Sequence, residues 1–311
     1  MSLTRATLKP GDAIPVGLEV DADGRVPCAS LRPLRGKRFH LPADDPFVLG
    51  GPGPEHAYVR AAADAWSEHP EYMDFLRDDS PVHALKLAER DLVLHHWWPH
   101  IQGGSVLDVG CGIGRFTLPL LQRGYGVTGV DADIDSLRRL AWHAAGRNGS
   151  LDLHWSSAHT LPDGPFDLAI AAEVLCYVPD LAGALAEVHR VLAPGGMLLL
   201  SMEARYGWAL SADAPQGSLD AALSDDGILD TGGERWVRTV SDADLREALD
   251  AAGFDVVDLR PSHWLPDGPL EGVMAEEMSL EELVEAEERC AVHPVFGPLH
   301  RLWLVAARRR P

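Results

Sequence analysis

The chain has 311 residues, 46% of them hydrophobic, which is enough for one α/β core with appendages. Its 47 acidic residues against 27 Lys and Arg give a formal net charge of −20, and so acidic a surface repels phosphate backbones and excludes RNA or DNA substrates. There is neither an apolar run long enough to span a bilayer nor a basic-then-apolar leader, so a soluble, cytoplasmic, non-membrane protein is expected.

Residues 1–54 are rich in Pro and Gly, and Leu18–Val20 and Arg25–Cys28 flank Asp23-Gly24, a β-hairpin signal. Gly50-Gly-Pro-Gly-Pro54 marks the boundary of this extension. Residues 55–100 read as two helices, His56–Leu76 and Val82–His100, that cover the site to follow; Trp97 and Trp98 are expected to pack the second against the sheet. No acidic partner for His95, His96 and His100 is expected from the neighbouring sequence, and Pro99 interrupts their turn. The four cysteines, Cys28, Cys111, Cys176 and Cys290, form no C-x-x-C pair, so no metal site is expected.

Residues 101–311 read as the core. Val106, Leu107 and Val109 make a buried strand that runs into Gly110-Cys-Gly-Ile-Gly114 and then a helix over Phe116–Arg123. The three glycines remove each Cβ where backbone amides must approach a ligand. A dinucleotide loop, G-x-G-x-x-G, requires glycine at position 115, which holds Arg115 instead. The loop closes one residue sooner, and Asp108 before it can face a cationic amine. In these residues the sequence resembles the class I S-adenosylmethionine (SAM)-dependent methyltransferases of small-molecule type.

The next segments follow that family's order. Gly126–Asp131 reads as a strand ending in a carboxylate suited to two ribose hydroxyls; alternatively Asp131, with Asp133 and Asp135, opens the helix around Leu137–Ala145. Ser156–Pro162 resembles the adenine-side loop, with Ser157 where the family often has an acid. Pro165–Ala172 is strand-like, Leu181–Leu192 helical, and Ala193-Pro-Gly-Gly196 a turn before the strand Met197–Ser201. Ser241–Ala252 reads as a capped helix, Phe254–Leu259 and Leu302–Ala307 as the last strands. The fold implied is a doubly wound, seven-stranded Rossmann-like sheet with its last strand antiparallel and helices on both faces. Helical cap insertions are expected at residues 203–240 and 260–299. In the second, Ser279 and Glu282 form a capping box, and the acids of that helix are expected on a solvated face.

The resemblance implies that SAM is held by Asp108, Gly110, Cys111, Gly112, Gly114, Asp131, Ala132, Ser157, Ala158, Ala172 and Glu173, with S-adenosylhomocysteine the product. It implies methyl transfer to a small molecule, oxygen ahead of nitrogen or carbon, with specialised metabolism as one setting. The alternative is a SAM-binding protein of the same fold whose activity is lost or redirected. A general base is needed when the acceptor starts protonated. Glu173, Tyr177, Glu203, Tyr206 and His263 stand at strand ends, with His263 preferred as the catalytic base, followed by Glu203 and Tyr177. Tyr206, Trp208, Trp236 and Trp264 suit either an aromatic pocket or packing.

Overall fold

The computed structural model describes residues 38–40, 74–78, 80–144, 147–207, 217–224, 227–232, 235–274 and 278–311. The hairpin expected at Asp23-Gly24, nearly all of the helix expected over His56–Leu76, and Trp208 lie outside them.

The strands are β1 (Arg38–His40), β2 (Ser105–Val109), β3 (Gly126–Asp131), β4 (Ser150–Trp155), β5 (Phe166–Ala172), β6 (Leu192–Ala204), β7 (Ile228–Gly232), β8 (Arg235–Val240), β9 (Phe254–Ser262) and β10 (Leu302–Arg309). Their order is β1-β4-β3-β2-β5-β6-β10-β9, with β8 beside the end of β6 and β7 paired to β8. Removing β1 and the β7–β8 hairpin leaves the expected seven strands, but the described sheet has ten rather than seven. The additions arise at its margins: β1 extends the β4 edge in parallel, and part of the first insertion is a hairpin rather than a purely helical cap. β10 runs antiparallel to both neighbours, as expected of the last strand. The turn expected at Ala193–Gly196 is a bulge within β6: Leu192 pairs with Phe166, and pairing resumes at Met197 with Leu168.

The helices are α1 (His83–Trp97), α2 (Thr117–Gln122), α3 (Ile134–His143), α4 (Leu181–Val191), α5 (Ser218–Leu223), α6 (Asp242–Ala251) and α7 (Leu280–Ala291). Successive residues of a strand face opposite sides, so β2 feeds two cores. Val106 packs with Trp97 of α1, Leu120 of α2 and Leu140 of α3, whereas Leu107 and Val109 join Leu185 of α4 and Leu249 of α6. Trp97 is buried, as its place in the sequence suggested, and Trp98 packs at the edge of the first core. A third cluster, Leu92, Trp264, Leu265 and Leu283, joins α1 to α7 and the loop after β9. Among the described residues no helix is long and apolar enough to cross a membrane.

The chain steps outward from β2 through β3 and β4, then returns to β5 on the other side of β2. This reversal opens a crevice at the carboxyl ends of β2 and β5, where α/β sheets of this kind bind ligands.

Candidate functional site

The glycine loop lies in that crevice. Gly110, Gly112 and Gly114 all have positive φ, at 67°, 51° and 105°, but for different physical reasons. A Cβ on Gly110 would stand 2.4 Å from Val174 Cγ2, and one on Gly114 would stand 2.5 Å from Leu140 Cδ1. These two are glycines because the protein packs against them. Gly112 alone of the three faces open space, with nothing within 4 Å of a Cβ there. Of the three, Gly112 is the one whose edge the protein leaves uncovered.

Asp131, at the end of β3, takes the Gly112 N–H on Oδ2 at 2.7 Å and the Asp133 N–H on Oδ1 at 2.8 Å. The Ala132 N–H also bonds this carboxylate, which leaves it part of its acceptor capacity for a further donor. Burial pushes the Asp131 carboxyl up to about 7, with Asp133 adding to the shift. Asp108 is only 2% exposed and accepts from Thr117 Oγ1 at 2.5 Å. It braces the first turn of α2 from beneath the loop, and burial pushes its carboxyl up to about 7. The Cys111 thiol is buried and raised well above its ordinary value, chiefly by that burial.

Just past β3 the Ala132 carbonyl accepts from Trp155 Nε1 at 2.9 Å. Ser157 Oγ accepts from His159 N at 3.3 Å, and Ala158 is buried beside it. An open glycine Cα edge, a carboxylate at the neighbouring strand end and small residues beyond fit a ribose-bearing cofactor laid across β2 and β3.

Ala172 ends β5, and Glu173 follows it with φ 53°, its N–H donated to Ser201 Oγ at 2.8 Å. From here a buried charge cluster extends away from the glycine loop. Arg115 gives Nη1 to Glu173 Oε1 at 2.9 Å, and Arg301 gives Nη2 to Glu173 Oε2 at 3.3 Å and to Glu203 Oε1 at 2.9 Å. Arg301 also holds Asp267, which accepts from Lys86 Nζ at 2.9 Å. Lys86 in turn donates to Glu89 at 2.8 and 3.1 Å. α1 therefore closes over the carboxyl ends of β5, β6 and the start of β10 through charge as well as packing.

The cluster sorts its acids into two kinds. Burial alone would raise Glu173, but Arg115 and Arg301 hold it well below the usual carboxylate range. Asp267 is likewise low, burial being outweighed by Arg301 and Lys86. Glu203 is fully buried, and burial pushes it up to about 7 despite Arg301, with Glu173 adding to the rise. Glu89 is raised too, by burial that Arg115 and Lys86 only partly offset.

His263 is fully buried at the end of β9 with φ 66°. Its Nδ1 is hydrogen-bonded to Ser262 Oγ at 3.0 Å, Nε2 has no partner, and burial pushes its pKa down to about 3, so the ring is neutral. Tyr177, half-buried in the short 3₁₀ turn Leu175–Tyr177, packs on the second core near Arg301. Trp264 is core, donating Nε1 to the Phe296 carbonyl at 2.7 Å, while Tyr206 is half exposed.

The backbone of His263, Trp264 and Leu265 is held by Glu287 of α7, which accepts their three N–H groups at 2.7, 2.8 and 2.8 Å. This corrects the solvated face expected of α7: Glu281, Glu282, Glu285 and Glu288 are exposed, but Glu287 is turned inward and buried.

Sequence reasoning brought Glu173, Glu203 and His263 to one place but missed Lys86, Glu89, Asp267 and Arg301, and used Arg115 only to reject a dinucleotide. One local signal existed. Glu89 lies four residues after Leu85 and three before Leu92, on the apolar stripe of α1, where a carboxylate needs a buried partner.

Among the described residues the only non-glycines with positive φ are Glu173, His263 and Asp267, and all three belong to this cluster. Such backbone costs roughly 1–3 kcal/mol per residue and concentrates at functional sites.

Strand order, open glycine and terminal carboxylate together define the Rossmann-like methyltransferase class. Residues 83–259 match the methyltransferase-domain family, and the chain belongs to it. The chain is 31% identical over 150 residues to the ubiquinone biosynthesis O-methyltransferase of Pseudomonas paraeruginosa, a match covering 47% of this chain and 61% of that one. It is 29% identical over 177 residues to the Psychrobacter arcticus protein of the same name, covering 53% and 65%. The chain thus spans about three fifths of the length of these curated relatives. Among solved structures it resembles the Burkholderia thailandensis 1,6-didemethyltoxoflavin-N1-methyltransferase, with a TM-score of 0.51 and 22% identity over 83% of this chain and 91% of that one. The Synechocystis magnesium protoporphyrin IX methyltransferase gives a TM-score of 0.51 and 16% identity over 81% and 99%. These likenesses concern the fold.

Proposed function

We propose that this chain is a SAM-dependent methyltransferase that acts on a small-molecule acceptor, with oxygen as the atom methylated. The observation that carries this reading is the side-by-side placement of the open Gly112–Asp131 cradle and the strained, buried charge cluster that begins at Glu173. The relatives named as O-methyltransferases favour oxygen over nitrogen or carbon.

SAM supplies an electrophilic methyl group, so the protein's work is alignment, exclusion of water and removal of a proton from the acceptor. Asp131 and the Gly112 edge hold the ribose; Ala132, Ser157 and Ala158 border the adenine; Gly110, Cys111 and Ala172 shape the path towards Glu173. α1 and the loop after β9 exclude water from the acceptor side. Of the three candidate bases, Glu203 fits best. Its carboxyl titrates near 7 and Oε2 is buried without a partner, so it can receive a hydroxyl proton near neutral pH. His263, titrating near 3, is a weaker base and serves as a neutral polar wall, and Tyr177 stands near Arg301, which holds Glu203.

Incubating the protein with methyl-labelled SAM and a panel of phenols, carboxylic acids and amines, then following S-adenosylhomocysteine and labelled product, tests the reading. Label in a methyl ether is expected. Cofactor binding with no methylated product across the panel would point to the redirected alternative.

A further inference from the structure

In the charge cluster three cations, Lys86, Arg115 and Arg301, serve four carboxylates, Glu89, Glu173, Glu203 and Asp267. The shortfall falls on Glu203. Glu173 is met by Arg115 and Arg301, Asp267 by Lys86 and Arg301, and Glu89 by Lys86 and Arg115. Glu203 has Arg301 alone, through Oε1 at 2.9 Å, and its Oε2 is buried without a partner. A buried carboxylate so thinly compensated favours its proton.

Arg301 is itself divided. Nη2 spans Glu173 Oε2 at 3.3 Å and Glu203 Oε1 at 2.9 Å, while Nη1 reaches Asp267 Oδ2, the same oxygen that takes Lys86 Nζ at 2.9 Å. The Arg301 backbone is fixed between neighbours: its N–H is donated to the His263 carbonyl at 3.0 Å, and its carbonyl accepts from Ala204 N at 2.7 Å. Lys86 belongs to α1 and Asp267 to the loop after β9, so the charge that Arg301 has left for Glu203 depends on two elements outside β6.

We infer that Lys86 and Asp267 are positioning residues for Glu203: by meeting Arg301 on one carboxylate oxygen they set its share for Glu203, and so tie the proton on Glu203 to the seating of α1. The inference rests on the methyl-transfer reading only in giving Glu203 its use as a base. The two residues act with opposite signs. Without Lys86, Asp267 draws on Arg301 alone and Glu203 holds its proton more tightly; without the Asp267 charge, Arg301 turns to Glu203 and loosens it. Besides Arg301, the charged groups facing Glu203 are Glu173 and Asp267, and those facing Lys86 are Glu89, Asp267, Arg115 and Glu173. The buried Cys176 thiol near Glu203 stays protonated, raised well above its ordinary value by burial and by Glu203 and Glu173.

The test is a carboxyl titration of the full chain, followed by carbon-13 NMR on protein labelled at the glutamate side-chain carboxyl, with Glu203→Gln identifying the Glu203 signal. It needs no acceptor. Lys86→Met is expected to move the Glu203 midpoint up by about one pH unit and Asp267→Asn to move it down by about as much. The double variant returns close to the wild type, and Lys86→Arg, which keeps the charge, stays there. Asparagine also tolerates the left-handed backbone of Asp267, at φ 52°. A tie that only braces the fold would lower the melting temperature of the single variants and leave the midpoint in place, which overturns the inference, as do shifts of the same sign. Where Lys86→Met fails to fold, the Asp267→Asn arm decides alone. A midpoint that moves as expected, in a protein whose Glu203→Gln variant turns over methyl-labelled SAM on the phenol panel like the wild type, overturns the base reading and leaves the coupling standing.

Discussion

The Gly112 N–H points at Asp131 Oδ2 across 2.7 Å, so the middle of the glycine loop is fastened to the end of the neighbouring strand. The carboxylate has two tasks in one place. It shapes the loop, and it presents its remaining lone pairs to whatever lies across the loop.

Asp131→Ala is therefore expected to weaken S-adenosylhomocysteine by about 1–3 kcal/mol, through lost hydroxyl contacts and a loosened loop. Calorimetric titration measures it. An unchanged affinity would remove Asp131 from the ribose site.

The three loop glycines should separate by phenotype. Gly110→Ala and Gly114→Ala drive a methyl into Val174 and into Leu140, so both should lower the melting temperature. Gly112→Ala meets no atom and pays only for its left-handed backbone, about 1 kcal/mol, yet it fills the open edge of the cradle. It should bind cofactor poorly while staying folded. Normal binding by a folded Gly112→Ala would contradict the cradle.

These differences also explain what was legible in the sequence. β2 and the glycine loop announce themselves because strand alternation and glycine are local signals. The capping boxes at Ser241/Asp244 and Ser279/Glu282 likewise appear as their spacing predicts. The reason for each glycine does not, since Val174 and Leu140 arrive from distant parts of the chain. The charge cluster is less legible still: Lys86 and Asp267 are 181 positions apart, and nothing near either names the other. Glu287 shows the same limit, one inward acid among exposed ones on a helix whose composition reads as solvated.

Glu287 offers a direct test of that inward turn. Removing its carboxylate strands the buried N–H groups of His263, Trp264 and Leu265, each worth about 1–3 kcal/mol if left unpaired. Glu287→Ala is expected to lose at least about 3 kcal/mol in denaturant unfolding. Glu287→Gln, which keeps one acceptor oxygen, should lose roughly half as much. Equal stability of Glu287→Ala and the wild type would mean that α7 does not hold this loop.

Asp108 makes a prediction about pH. Its carboxyl is raised to about 7 by burial, so its stabilising contribution is fully present below the ordinary carboxylate range and is lost as pH rises through about 7. Asp108→Asn keeps an acceptor for Thr117 without the ionisation. Relative to wild type it should gain on the order of 2–3 kcal/mol between pH 5 and pH 8, since the other raised carboxyls are common to both proteins and cancel. Parallel stability curves over that range would show that burial does not hold the Asp108 proton.

The two buried groups offered as bases differ in how they answer pH. Glu203 must be ionised to accept a proton, so with a carboxyl raised to about 7 the wild-type turnover should climb as pH rises through about 7 and then level off. His263, held near 3, is neutral throughout the working range and adds no limb to the profile. Glu203→Gln keeps the shape and the Arg301 contact but cannot take the proton. It should lower kcat by about 10²–10⁴-fold and flatten the rise near 7. His263→Asn, whatever its effect on KM, should leave that rise in place. A Glu203→Gln enzyme that keeps the wild-type pH profile would take Glu203 out of the proton path, and loss of the rise in His263→Asn alone would return the role to the imidazole.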